Sequence, residues 1–224
     1  MRARRLFHPV SVPDFPLDPE SSHYLERVLR LRPGDCFEAL DGGMVHRCRL
    51  LEGSRGLLLE SAPGTREPSI RIRLALALVK GERFDHAVEM AAELGVMEIV
   101  PLRSRNCVVE CPGETRRQRW QRIARSGAAL AGRAVAPTVA APCPFEEALL
   151  GPAVVFCPGY PPLRELPDGE LSLFIGPEGG FSPDEVEEAR LRGAGLAGLG
   201  DRILRVETAA AVAVTLVLRL AGDL

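Results

Sequence analysis

Two stretches near the C-terminus carry residue types and spacings that could hold a ligand. The first is Leu171-Ser-Leu-Phe-Ile-Gly-Pro-Glu-Gly-Gly-Phe-Ser-Pro-Asp-Glu185, in which an apolar run feeds the loop Gly176-Pro177-Glu178-Gly179-Gly180. Ser182, Pro183 and Glu185 then spell a helix start: an N-cap, a proline at the first helical position, and a capping-box acid three residues after the cap. Glycines between a strand and a helix let main-chain amides approach a ligand that a Cβ would hold away. In open α/β sheets, ligands bind beyond the carboxyl ends of the strands. The loop matches neither the dinucleotide fingerprint nor the phosphate-cradling loop. Pro177 stiffens it and Glu178 sets a carboxylate at its apex, which suits a cationic or neutral ligand better than a phosphate. Standing alone, the loop is read equally well as a tight strand-to-helix turn.

The second stretch is Leu199-Gly-Asp-Arg-Ile-Leu-Arg-Val-Glu-Thr-Ala-Ala-Ala211. Leu196 to Leu199 reads as a short strand, Gly200-Asp201 as a turn, and Thr208 as the cap of an Ala/Val/Leu helix running to about Leu220. Arg202, Arg205 and Glu207 crowd the connection, although charges in such loops are ordinarily just solvated.

These stretches need elements to position them. From residue 68 onward, apolar strands alternate with helices: Ile70–Val79, a helix over Phe84–Leu94, Met97–Val100, a helix over Glu114–Ala131, Ala153–Cys157, Leu171–Ile175, and a helix over Pro183–Arg192. That alternation predicts an α/β fold with a mainly parallel sheet covered on both faces. Residues 1–67 instead show short strands (Cys36–Leu40, Val45–Leu51, Gly56–Ser61) between turn signals and one helix near Ser21–Arg30. They predict a small β-barrel. Pro63-Gly-Thr-Arg-Glu-Pro68 reads as the boundary between the two domains.

Composition narrows the function classes. With 46% hydrophobic residues, a substantial core is available, and a net charge of −2 makes the whole chain no polycation. Charge is nonetheless uneven, with eight arginines between Arg103 and Arg133 against Glu110 and Glu114. On the Glu114–Ala131 helix, Trp120, Ile123, Ala124, Gly127, Ala128 and Ala131 form a buried stripe. Arg119, Arg122 and Arg125 share the opposite face, an ordinary solvated surface or a phosphate-contacting one. The six cysteines include no C-x-x-C and the four histidines are scattered, so metal-ligand spacing is absent and no metal is expected. Reduced thiols in a cytoplasmic protein are the simplest reading. The first residues lack a secretory h-region, and the longest apolar run, Ala209 to Leu218, is too short to span a membrane.

Taken together, these residues resemble the RsmE-type 16S ribosomal RNA uridine-N3 methyltransferases, a branch of the SPOUT class. Arg5-Leu6-Phe7, the run His23 to Asp35, and Asp41-Gly42 are similar to the family's N-terminal PUA-like barrel. Leu76 to Arg83 with Glu93-Leu-Gly-Val96 resembles its first α/β unit. Ile175 to Gly180 and Leu199 to Ala210 resemble the two motifs of its C-terminal trefoil knot, and these last two are highly specific in this order and spacing. The chain departs from the family's usual pattern at Glu89-Met90, at Ala129-Leu130 and within Ala134-Val135-Ala136-Pro137, where polar residues that bear on substrate positioning are absent.

The resemblance implies S-adenosyl-L-methionine as cofactor, a homodimer with each cofactor site close to the subunit interface, and a decoding-centre uridine of the small ribosomal subunit as substrate. By position it implies a cofactor site formed by Leu78, Gly176, Pro177, Glu178, Gly179, Gly180, Leu199, Gly200, Ile203, Leu204, Arg205, Thr208 and Ala209. It also raises Arg2, Arg4, Arg5 and Arg30, with Arg119, Arg122 and Arg125, to RNA contacts. Methylating N3 requires loss of its proton, with charge spreading onto O2 and O4. An arginine beside those oxygens would stabilise that anion, a role assigned first to Arg205 and second to Arg133. Glu207 is a candidate base, but a helix N-terminus favours its anion, so holding a cationic neighbour suits it better. A non-catalytic ribosome-assembly factor, or a SPOUT methyltransferase with another RNA target, stays open on sequence alone.

Overall fold

The structure is a computed structural model that describes residues 4–109, 111–167 and 169–224. Arg2, one of the arginines expected to touch RNA, lies outside the described residues. The chain divides into two compact units: residues up to Glu67 together with Arg125–Ala136, and Pro68–Ala124 together with Pro137–Leu224.

The first unit opens with β1 (Arg5–Phe7), β2 (Asp14–Pro16) and the short helix α1 (Pro19–His23), which runs into a π-helical turn over Tyr24–Val28. Next come β3 (Cys36–Asp41), β4 (Met44–Leu51) and β5 (Arg55–Pro63). They form a curled half-barrel sheet of order β1-β3-β4-β5-β2, in which every pairing is antiparallel except β1 with β3. The pattern in β4 shows why: His46, Cys48 and Leu50 are buried while Arg47 and Arg49 face out, the two-residue alternation of a sheet with one wet face. Phe15, Leu25, Phe37 and Leu50 fill the space the sheet encloses.

The second unit is built on β6 (Arg71–Ala77), α2 (Arg83–Glu93), β7 (Glu98–Arg103), α3 (Glu114–Ala131), β8 (Thr138–Val139), β9 (Cys143–Pro144), α4 (Phe145–Ala148), β10 (Ala153–Phe156), β11 (Glu170–Ile175), α5 (Pro183–Leu191), β12 (Gly195–Ala197) and α6 (Val206–Ala221). The sheet runs β12-β10-β11-β6-β7-β8, all parallel, with β9 also on β7. Its central strands are apolar on both faces because helices cover both, and β10 is buried at every residue. Phe145 meets Phe174 edge-on at 5.4 Å between centroids, and Phe181 at 5.0 Å, which locks α4 over β11. Asp223, just past α6, accepts hydrogen bonds from the Ser69 amide and hydroxyl and so ties the two ends of this unit together.

Five elements were not expected from the sequence: β1, β2, β8, β9 and α4 are two to four residues each, too short for periodicity to show. The start of α6 also differs. Arg205, with extended backbone (φ −66°, ψ 154°), occupies the N-cap and makes no side-chain cap bond. Thr208 therefore lies in the first turn and caps nothing. Burying Val206, which is 3% exposed, requires the helix to begin before the threonine.

Candidate functional site

Because β12, β10 and β11 are neighbours and parallel, their carboxyl ends open on one edge of the sheet. The three connections leaving them enclose a cleft of about 120 Å³ that opens to solvent. Phe156, Cys157 and Pro158 form one wall, Ile175 to Glu178 with Gly180 a second, and Leu199, Gly200 and Arg202 to Leu204 a third, while Val206 and Ala209 of α6 close it. The two glycine-bearing stretches thus meet across a single cavity.

Local chemistry holds each wall. Ser182 caps α5, accepting from the Glu185 amide while Glu185 accepts from the Ser182 amide, with Pro183 in the first turn. Gly180 adopts φ +68°, where a side chain would be strained. Asn106 donates its side-chain amide to the carbonyls of Gly179 and Gly180 at 3.2 and 3.1 Å. The Arg105 amide donates to Glu185 at 2.8 Å, and its guanidinium pairs with Asp184. The loop after β7 therefore clamps the glycine loop after β11. Glu178 is held at the rim by Arg83, Nη1 to Oε1 at 2.8 Å.

Of the residues expected at a cofactor site, Gly176, Pro177, Glu178, Gly180, Leu199, Gly200, Ile203, Leu204 and Ala209 line the cleft. Gly179, Arg205 and Thr208 flank it without lining it. Leu78 is 2% exposed and its amide donates to the Leu102 carbonyl at 3.0 Å, so it supports the sheet edge from beneath. Phe156, Cys157, Pro158, Ile175, Arg202 and Val206 also line the cleft without being among the expected cofactor residues, and the sequence does not mark the clamp residues Arg105 and Asn106. The strand end at Phe156-Cys157-Pro158 was the available signal. Burial pushes the Cys157 thiol up to about 11, so near neutral pH it is an uncharged wall.

The candidate catalytic groups fall into different settings. Arg205 is exposed between the lining residues Leu204 and Val206, and its guanidinium has no partner among the described residues. Glu207 keeps Oε2 out of solvent with no hydrogen-bond partner among the described residues. Arg133 belongs to the first unit and is 1% exposed. Its Nε and Nη2 hold Glu67 at 3.0 and 2.9 Å, while the other Glu67 oxygen accepts the Ala134 and Val135 amides. A buried, ion-paired guanidinium has no free face for a uracil carbonyl, so the second-choice catalytic role gives way to a structural one.

Among the arginines expected to meet RNA, Arg4 pairs loosely with Asp35 at 3.7 Å and Arg5 with Glu38. Arg30 and Arg122 are exposed without a partner among the described residues. Arg119 pairs with Asp85 at 2.7 Å. Arg125 lies over the Phe7 ring at 5.8 Å and donates to the Phe7 carbonyl at 3.1 Å. Among the described residues, no group of His, Cys, Asp or Glu could hold a metal ion, and no helix is long and apolar enough to cross a membrane.

Comparison with known proteins gives this geometry a context. The family model described as an RNA methyltransferase domain matches residues 65–218. The chain is 36% identical over 208 residues to the ribosomal RNA small subunit methyltransferase E of Synechocystis, covering 85% of this chain and 68% of that protein. It is 32% identical over 220 residues to the protein of the same name from Mycobacterium bovis, covering 88% and 83%. Among solved structures, the ribosomal RNA small subunit methyltransferase E of Neisseria gonorrhoeae bound to S-adenosyl methionine superposes with a TM-score of 0.90 at 29% identity, over 97% of this chain and 98% of that one. A methyltransferase-like protein of Legionella pneumophila, solved with bound SAM, does so with a TM-score of 0.90 at 27% identity, over 99% and 98%. The fold is the one the resemblance implied, an α/β SPOUT knot with a PUA-like N-terminal barrel.

Proposed function

Since the chain belongs to the RNA methyltransferase domain family, we propose that it transfers the methyl group of S-adenosyl-L-methionine to N3 of a decoding-centre uridine in 16S rRNA of the small ribosomal subunit. The coarser part, S-adenosyl-L-methionine-dependent methylation of small-subunit rRNA, rests on the relatives of that name and on the SAM-bound neighbours. The observation that carries the reading on this chain is the meeting of Gly176–Gly180 and Leu199–Leu204, separated by eighteen residues of sequence, as two walls of one cleft.

The cleft suits that cofactor. Its walls are largely apolar and main-chain in character, as an adenine needs. Among the described residues its one lining carboxylate, Glu178, stands at the rim beside Arg83. Main-chain atoms of Gly176, Gly180, Leu199, Gly200 and Leu204 would hold it, and Phe156, Ile175 and Pro177 would exclude water. When bound, the cofactor supplies a methyl group on a sulfonium, which requires an in-line nucleophile. Arg205, free beside the cleft, is positioned to stabilise the charge that spreads onto O2 and O4 as N3 loses its proton. Glu207 keeps a buried oxygen ready for a donor that the ligand brings. Water or a group on the RNA accepts the N3 proton.

The same reading takes Arg4, Arg5, Arg30, Arg119, Arg122 and Arg125 as phosphate contacts and the working form as a homodimer in the cytoplasm. Support for the dimer comes from α6, whose Val212 and Leu220 are 41% and 39% exposed. Calorimetric titration with S-adenosyl-L-methionine tests the core of the proposal. A one-to-one, saturable isotherm per chain supports it, and no binding at millimolar concentration would turn the reading to a ribosome-assembly factor without catalysis.

A further inference from the structure

Outside the cleft lining, the methyltransferase unit organises a set of cations around one indole. Trp120, the sole tryptophan of the chain, is 1% exposed and packs on Phe84 with centroids 4.2 Å apart. Its Nε1 donates to Asp85 Oδ1 at 2.7 Å. The second oxygen of Asp85, a residue only 9% exposed, takes Nη2 of Arg119 at 2.7 Å. Three residues earlier on α3, Arg116 lies over the indole, 5.5 Å from its centroid, and donates to the Gly81 carbonyl at 3.4 Å. Lys80, the only lysine in the chain, precedes Gly81 and is exposed with no partner among the described residues.

An ordinary solvated helix face leaves its arginines mobile. Here two guanidinium groups are fixed by different means, one by a buried carboxylate and one by an aromatic face and a carbonyl. Both stay accessible, the Arg119 side chain being 58% exposed. One contact to Asp85 leaves most of the five N–H donors of Arg119 unused. Ordering two long side chains costs rotamer entropy, which a surface with no ligand gives no reason to spend. Glu82 is the acidic neighbour in the Lys80–Arg83 loop. Against it stand Lys80, Arg116 and the unpaired Arg122, so the patch keeps a positive excess.

Location adds the second argument. The Lys80–Gly81 loop leaves the carboxyl end of β6, the strand next to β11. The helix it starts carries Arg83, which holds Glu178 of the cleft wall. The patch and the cleft therefore share one edge of the sheet.

We infer that Lys80, Arg116 and Arg119 form a subsite for the phosphates of the RNA strand, with Asp85 as the positioning residue and Trp120 as its floor. The inference rests on the reading of the substrate as RNA. Arginine forks match phosphate oxygens, and a guanidinium already oriented loses less freedom on binding.

Trp120 makes the subsite observable without any methyl transfer. The probe is a mixed-sequence single-stranded RNA of sixteen nucleotides, titrated into the full chain while both its anisotropy and Trp120 emission are followed. The expected result is a change in emission that saturates with the same midpoint as the anisotropy. In the double variant Arg116→Gln, Arg119→Gln, the slope of log K against log salt should fall by about 1.4, since each phosphate contact on a single strand contributes about 0.7. The Asp85→Asn variant keeps an oxygen for Trp120 Nε1 but loses the charge that orients Arg119, and should shift the midpoint several-fold. Arg119→Lys should restore the charge but only part of the affinity. Unchanged slope and midpoint in the double variant would overturn the inference, as would wild-type protein that binds the RNA with silent Trp120 emission or does not bind it at all. S-adenosyl-L-methionine titrations of the same samples separate the two failures: cofactor binding intact with no effect at the patch sinks only this inference, whereas lost cofactor binding by the wild-type chain sinks the functional reading.

Discussion

Gly198 faces the carbonyl of Tyr160 with no room for a side chain: a Cβ on Gly198 would stand 2.1 Å from that oxygen. The Gly198 amide donates to the Pro161 carbonyl at 2.8 Å, and the Cys157 amide donates to the Ala197 carbonyl at 2.8 Å. At this crossing the end of β12 passes tightly against the segment leaving β10. Both segments continue directly into walls of the cleft, so their closeness sets its shape.

Gly198→Ala should accordingly destabilise the chain by about 1–3 kcal/mol, the usual cost of overpacking, because the obstructing atom is backbone and cannot swing away. Thermal melting should show a Tm several degrees lower, and calorimetry a weaker affinity for S-adenosyl-L-methionine. A variant that melts and binds like the parent would mean that the crossing is looser than described.

Asn106→Ala removes both amide contacts to the Gly179 and Gly180 carbonyls without touching the cleft lining. Each such bond contributes about 0.5–1.5 kcal/mol net, and these are exposed. The expected outcome is a three- to tenfold rise in the Kd for S-adenosyl-L-methionine with Tm almost unchanged. Equal Kd values would show that the glycine loop holds its shape without the clamp.

Much of this was legible in the sequence and some was not, for physical reasons. The cap of α5 and the bounds of α3 were readable because Ser182, Pro183, Glu185 and the stripe through Trp120 act within one or a few helical turns. The clamp was not, since Asn106 meets its partners more than seventy residues away and nothing local announces it. Arg133 looks like the other arginines of a basic region; its partner Glu67 lies 66 residues earlier, with β6, α2, β7 and α3 between them. Thr208 misled because cap preference is a weak force beside the burial of Val206.

Arg205 and Arg133 should separate cleanly in experiment. Arg205→Ala is expected to lower kcat by about 10²–10³, the effect of deleting one donor to a developing anion, with cofactor affinity and Tm little changed. Arg133→Ala leaves Glu67 without its buried partner and should cost about 3–5 kcal/mol of stability, read as a large fall in Tm. The reverse pattern would exchange the two roles.

The first unit should carry an acid-sensitive bond. Burial raises the Asp18 carboxyl, but hydrogen bonds from the Ser21 hydroxyl and amide, then His8, outweigh it and bring it down to about 2 from 3.8. A carboxylate with a depressed native pKa contributes stability that is present above its unfolded value and is lost as pH falls through the folded one. The parent should therefore lose stability between about pH 4 and pH 2, and Asp18→Asn should show a flatter profile over that window by chemical denaturation. Parallel profiles would argue that Asp18 is not held as described.

Nucleoside mass spectrometry of small-subunit rRNA, from cells with and without this chain, tests the central claim most directly. The account expects 3-methyluridine in the parent strain, its loss from the deletion strain, and its return when the wild-type chain is supplied but not when Arg205→Ala is. Persistence of 3-methyluridine in the deletion strain, or loss of a different methylated nucleoside instead, would contradict it.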